Sequence, residues 1–169
     1  AKLRVSTEEV PFRWMTGTQS HEGMAGTRAA IDHIAWIGRE VSGNEGLGRR
    51  EALKIAYSAI EGHERELCLR MIQGLEDIDG LKIWGITNPE RIAERSPTVS
   101  FTHPKMVASE IGAFLAARGI FVWAGNFYAL ELTEALGLEP EGVLRVGLLH
   151  YNSMEEVNFF LESVREILG

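Results

Sequence analysis

Between Arg49 and about Ile78, apolar residues recur at Leu53, Ala56, Ile60, Leu67, Met71 and Leu75. Spacings close to the helical repeat predict one long amphipathic helix. Ahead of it, "HEGMAGTRAAIDHIAWIG" carries Met24, Ala30, Ile34 and Ile37 at helical spacing and predicts a helix stopped at Gly38. The polar, glycine-broken "REVSGNEGLG" separates the two, and residues 1–20 read as strand then loop around Pro11 and "MTGTQS". After "DIDG" the pattern changes to short alternating runs. Strands are predicted at 81–86, 97–102, 120–126 and 143–149, with a short helix opened by Asn88 and Pro89 after the first. Amphipathic helices are predicted over 103–119, ended by Gly119, over 128–137, and over 154–168, where Ser153 and Glu156 have capping-box spacing.

Two long helices followed by alternating strands and helices predict an α+β domain, with helices covering one face of a sheet. A chain of 169 residues with 45% hydrophobic content can bury a proper core. Its formal net charge of −7, with no basic stripe, argues against a nucleic-acid partner. No apolar run is long enough to span a bilayer, so no membrane association is expected. The single cysteine, Cys68, leaves no internal disulfide and fits a reducing, cytoplasmic setting.

Arg145 is the residue that asks for chemistry. In "GVLRVGLLHYNSMEEV" it shares a strand face with Val143, Gly147 and Leu149. It can pair with a nearby acid such as Glu141 or Glu155, or it can hold a ligand carboxylate in its planar fork. Gly147 keeps that face open. A second anion point is "TGTQSHEG", two threonines and two glycines before a helix N-terminus, with Ser20 as an ordinary cap being the alternative. The "HE" pairs at His21 and His63 do not extend to a zinc motif, so no metal site is expected. His33 reads as a packed residue and Cys68 as core. Trp123, Asn126 and Tyr128 follow the third strand, where a loop can face a pocket.

Taken together, "RWMTGTQSHEGMAG", "RSPTVSFT", "LAARGIFVWAGN" and "LRVGLLHYNSMEEV" resemble, in order and separation, the C-terminal part of the class V aminotransferases and cysteine desulfurases. The "GTQSHEG" and "WAGNFYALE" variants resemble an uncharacterised, desulfurase-like subgroup. The resemblance implies the small C-terminal domain of the fold type I pyridoxal-phosphate enzymes, a two-layer structure with a mixed or antiparallel sheet. Residues 1–48 would be an edge segment adjoining a large cofactor domain, and 49–169 the small domain. Arg145 falls on the arginine that grips the α-carboxylate of an amino-acid substrate. Gly17 and Thr18 fall where the family reaches the cofactor phosphate of the neighbouring subunit in a homodimer. Asn126 and Tyr128, on the active-site loop, would shape substrate choice, and Asn152 and Ser153 would shape and cap the strand-to-helix corner.

The family also needs a lysine that forms a Schiff base with the cofactor. Lys2, Lys54, Lys82 and Lys105 do not stand in its context. The resemblance therefore implies that the catalytic lysine lies upstream in a longer transferase or lyase, that this chain holds no catalytic residue, and that alone it is inactive. Transamination, racemisation or elimination would fit. Desulfuration proper is the alternative, although Tyr128 stands at the reactive cysteine's position and Trp123 at the preceding arginine's. A non-catalytic dimerisation or interaction domain is the other.

Overall fold

A computed structural model describes residues 7–15 and 17–169. Residues 1–6 and 16 of the segment expected as strand then loop lie outside them. Within it, the chain makes a 3-10 turn at Phe12–Trp14. The described elements fall into two compact units, Ala1–Ala59 and Ile60–Gly169, divided inside the second long helix.

In the first unit, α1 (His21–Ser42) opens at Ser20, whose hydroxyl accepts from the Gly23 amide at 3.2 Å. It runs past Gly38, the expected stop, and ends at Gly43, which has φ 65°. The two glycines do different jobs. A Cβ on Gly38 would stand 1.8 Å from the Ala52 carbonyl oxygen, so Gly38 is the point where α1 meets the start of α2 (Arg49–Glu76) backbone to backbone. Gly43 supplies the left-handed cap. The turn between them is closed by the Arg39 Nε donating to the Leu47 carbonyl at 3.1 Å. His33, expected as a packed residue, is exposed and stacks on Trp36, with centroids 5.6 Å apart.

The second unit is built on a four-stranded, wholly antiparallel sheet of β1 (Lys82–Trp84), β2 (Thr98–Thr102), β3 (Trp123–Gly125) and β4 (Val143–Gly147). Its order is β1-β2-β4-β3. β2 and β3 both run antiparallel to β4 and so parallel to each other, and α3 (Ala108–Ala116) is the crossover between them. α3 is shorter than expected at its start, where His103 and Met106 form an isolated bridge around Pro104. Short helix α4 (Leu130–Ala135) and the C-terminal α5 (Met154–Leu168) complete the unit.

One face of the sheet supplies Val99, Phe101, Leu144 and Val146 to the core. Leu67, Met71 and Leu75 of α2 meet them there, with Ile111 and Leu115 of α3 and Val157, Leu161 and Val164 of α5. Polar ties register α5 on α2. Arg70 donates to Asn158 Oδ1 at 2.9 Å, Arg165 to the Gly74 carbonyl at 3.2 Å, and the His63 ring meets the Asn152 carbonyl at 2.8 Å. His63 thus ties α2 to the corner that leads into α5.

The corner from β4 into α5 is closed by a capping box. The Ser153 hydroxyl accepts from the Glu156 amide, and the Glu156 carboxylate accepts from the Ser153 amide at 2.9 Å and from Asn152 at 3.1 Å. These bonds to the charged form, the Ser153 amide first, hold the Glu156 pKa below its ordinary value. A lowered folded-state pKa gives stability that is complete above the unfolded value and lost as pH falls through the folded one. Ser153→Ala is expected to lower stability by about 1 kcal/mol in denaturant unfolding. Glu156→Gln should flatten the acid limb of the stability profile below the ordinary carboxylate range. A profile identical to the parent's would contradict this.

Candidate functional site

On the sheet's second face Lys82, Thr98, Trp123, Arg145 and Gly147 are exposed, Trp84 and Ser100 are half-buried, and Val143 is buried. Pairing register places Trp84 opposite Ser100, Ser100 opposite Arg145, and Arg145 opposite Trp123. Directly opposed residues in an antiparallel sheet point to the same side. A single row thus crosses all four strands as Trp84, Ser100, Arg145, Trp123. The row has two aromatic ends, one cation, and a small residue between that cation and Trp84. Gly147 and Thr98, paired beside it, add a further low stretch of floor.

Arg145 is exposed, and its guanidinium carbon lies 3.9 Å from the centroid of the Phe127 ring. That is cation–π distance. No carboxylate pairs with it among the described residues. Neither Glu141 nor Glu155 is its partner; Glu155 instead bonds at the start of α5. The aromatic ring covers one surface of the guanidinium while leaving the planar fork of N–H donors unsatisfied, so the arrangement can accept a carboxylate edge-on. Lys82, the other cation on this face, has its ammonium 3.6 Å from the Trp84 ring centroid. That indole is itself pinned, donating to Thr102 Oγ1 at 3.0 Å.

Phe127 reaches Arg145 because of an unusual turn. Phe127 and Tyr128 have φ of 55° and 61°, left-handed conformations that cost bulky residues about 1–3 kcal/mol each. Asn126 holds them there. Its Oδ1 accepts from the Tyr128 amide at 3.2 Å, its carbonyl accepts from the Ala129 amide at 2.8 Å, and its Nδ2 donates to Glu139 at 3.2 Å. Thr133 donates to the same Glu139 oxygen. Both polar ends of the Asn126 side chain are therefore engaged within the protein. Tyr128 is fully exposed at the tip. Trp123 is 67% exposed rather than packed.

Gly17 and Thr18 belong to the first unit, just ahead of α1. Both are exposed, and a Cβ on Gly17 would meet nothing within 4 Å. The Thr18 side chain makes no hydrogen bond among the described residues. Arg145, Asn126 and Tyr128 are brought together on one strand and its neighbouring turn. The sequence reading did not single out Phe127, Trp84 or Ser100. For Phe127, a left-handed aromatic leaves no sequence signal, and for the other two the strand order was needed first.

Cys68 borders a cleft of about 470 Å³ with Glu61, Arg65 and Arg95. The thiol is buried, and burial pushes its pKa up against the opposing influence of Arg95. That is the reverse of an activated thiolate. Among the described residues no cluster of histidine, cysteine and acidic side chains could hold a metal ion, and no helix is long and apolar enough to cross a membrane.

The turn that carries Phe127 rests on Gly142, which has φ 66° and where a Cβ would lie 2.2 Å from the Gly125 carbonyl carbon. Gly142→Ala must displace backbone. It is expected to cost about 1–3 kcal/mol and to speed amide exchange at Tyr128 and Ala129. Unchanged exchange there would show that the turn does not depend on this contact.

Residues 47–160 match the aminotransferase class-V family. The aminotransferase-like protein FGM3 of Gibberella zeae is 35% identical over 117 residues, covering 68% of this chain and 29% of that protein. A probable cysteine desulfurase of Xylella fastidiosa is 28% identical over 94% of this chain and 33% of its own length. Among solved structures, the apo cysteine desulfurase of Thermococcus onnurineus superposes with a TM-score of 0.73 at 27% identity, over 94% of this chain and 34% of that one. This chain thus spans about a third of the length of the relatives it matches. With its sheet order, its helical cover and this match over most of its length, the chain belongs to the class V aminotransferase family.

Proposed function

We propose that this chain is the C-terminal part of a pyridoxal-phosphate enzyme acting on an amino acid, and that Arg145 grips the substrate's α-carboxylate. The observation that carries this reading is the Arg145 guanidinium, seated on Phe127 on an open sheet face with no acidic partner among the described residues. A fixed guanidinium offers two parallel N–H donors to a carboxylate, which orients the substrate as well as holding it. Asn126 acts as a positioning residue, since its hydrogen bonds set the turn that puts Phe127 against the arginine. Tyr128, at the exposed tip, bounds the substrate's side chain.

The cofactor, when bound, supplies an electron sink for bonds broken at the amino-acid α-carbon. The open, donor-bearing approach at Gly17 and Thr18 fits a phosphate oxygen, and in a homodimer these residues would meet the neighbouring subunit's cofactor. Residues 1–48 then adjoin the large cofactor domain and 49–169 form the small one. The lysine that carries the cofactor comes from the remainder of a protein about three times as long, as its relatives are. This chain alone is expected to give no turnover, and borohydride treatment with pyridoxal phosphate should leave no specific adduct on Lys54, Lys82 or Lys105.

Desulfuration is the second reading, favoured by the names of several relatives. Among these residues only Cys68 could accept the sulfur, and its burial pushes the thiol pKa up, against activation as a nucleophile. Full sulfur release by Cys68→Ser would remove it from that role. For the carboxylate grip, Arg145→Lys in the full-length enzyme is expected to raise KM by about ten- to a hundredfold, as a bidentate pair becomes a single point contact. An unchanged KM would overturn the assignment.

A further inference from the structure

Resting on that reading, the cross-strand row also describes the substrate's side chain. A carboxylate on Arg145 lies between Trp123, directly opposite on β3, and the low floor of Ser100 and Gly147. Directly opposed residues have Cβ atoms about 4.5–5.5 Å apart, so the Trp123 indole starts beside the guanidinium and is free to lie along the ligand. It is exposed and makes no ring contact with another described residue. Phe127 already covers one face of the guanidinium, and Trp84 is fixed at the far end of the row by its bond to Thr102. A ligand here meets one cation with open donors and, in Trp123, a ring that no described side chain covers, since Phe127 faces Arg145 and Trp84 lies under Lys82.

Among the described residues, a second anionic group finds no matching charge beside Arg145 in its row. Lys82 is two strands and two residues away from Arg145 along the register, roughly 12 Å between backbones by ordinary sheet spacings, and it is held over Trp84. That argues against a dicarboxylic amino acid. A small aliphatic or thiol side chain would leave the indole of Trp123 in water. We propose that the substrate is an amino acid with an aromatic side chain, its carboxylate on Arg145 and its ring stacked on Trp123, which makes Trp123 a specificity-determining residue.

The test uses the full-length, cofactor-loaded enzyme and two unreactive carboxylates, 3-phenylpropionate and propionate, measured by calorimetry and as competitive inhibitors. Phenylpropionate is expected to bind about tenfold or more tightly than propionate. The gap should close in Trp123→Ala and persist in Trp123→Phe, which keeps a ring. The ratio of kcat/KM for L-phenylalanine over L-alanine should fall in parallel in Trp123→Ala. Equal binding of the two acids, or a gap that Trp123→Ala leaves intact, overturns the aromatic preference. If both acids still weaken on Arg145→Lys, the carboxylate grip survives that result. Binding of both acids that ignores Arg145 overturns the two proposals together.

Discussion

The register of β4 is the constraint on which the rest depends. From Leu144 onward its residues alternate, so that Leu144 and Val146 enter the core while Arg145 and Gly147 face away. A slip of one residue against β2 would put a guanidinium among Phe101, Leu115 and Leu161 and push two aliphatic side chains into water. Burying an unpaired charge costs several kcal/mol, and each displaced aliphatic loses about 1.5–3 kcal/mol more. The core therefore selects the register. The register in turn fixes which residues flank Arg145. Ser100 and Trp123 stand beside it because Leu144 cannot be anywhere but opposite Phe101 and Ala124.

The open face is held by a second device that the core does not provide. Strands β3 and β4 are joined through α4 and a return that crosses Gly125 so closely that only a glycine fits at 142. That approach, with the Asn126, Thr133 and Glu139 cluster beside it, overdetermines the turn enough to keep two aromatic residues left-handed. Strain of this kind persists only where the surroundings enforce it. Here it delivers a ring to the guanidinium, which is an arrangement a relaxed turn would not make.

The helices and the α5 cap were largely legible in the sequence, because both signals are local. The stripe from Leu67 to Leu75 is buried as its spacing required, and Ser153 and Glu156 form the box their separation suggested. Local signals also explain the misses. Gly38 and Gly43 look alike as letters, yet one admits a neighbouring backbone and the other takes a positive φ. His33 sits at helical spacing with apolar residues, but the face it shares is exposed. Arg145 could be singled out from strand alternation alone. Its setting could not, since the row from Trp84 to Trp123 depends on β4 inserting between β2 and β3, a pairing of strands distant in sequence.

Why an arginine should sit on an aromatic ring rather than against an acid follows from what each partner does to the donors. A carboxylate from the protein would occupy the same planar edge that a ligand needs, and releasing it would cost the pair's full energy at every binding event. Phe127 instead offers a ring at cation–π distance from the guanidinium carbon. It restrains the guanidinium and removes water from one side, yet consumes none of its N–H groups. A guanidinium restrained in this way has less rotamer freedom left to lose to any further partner. Arg165 makes the contrast within the same chain. Its guanidinium reaches the Gly74 carbonyl and lies 3.9 Å from Asp77, as suits an arginine whose task is to tie α5 to α2. Arg145 makes no such bond among the described residues and leaves its polar edge open, which is the physical difference between the two arginines.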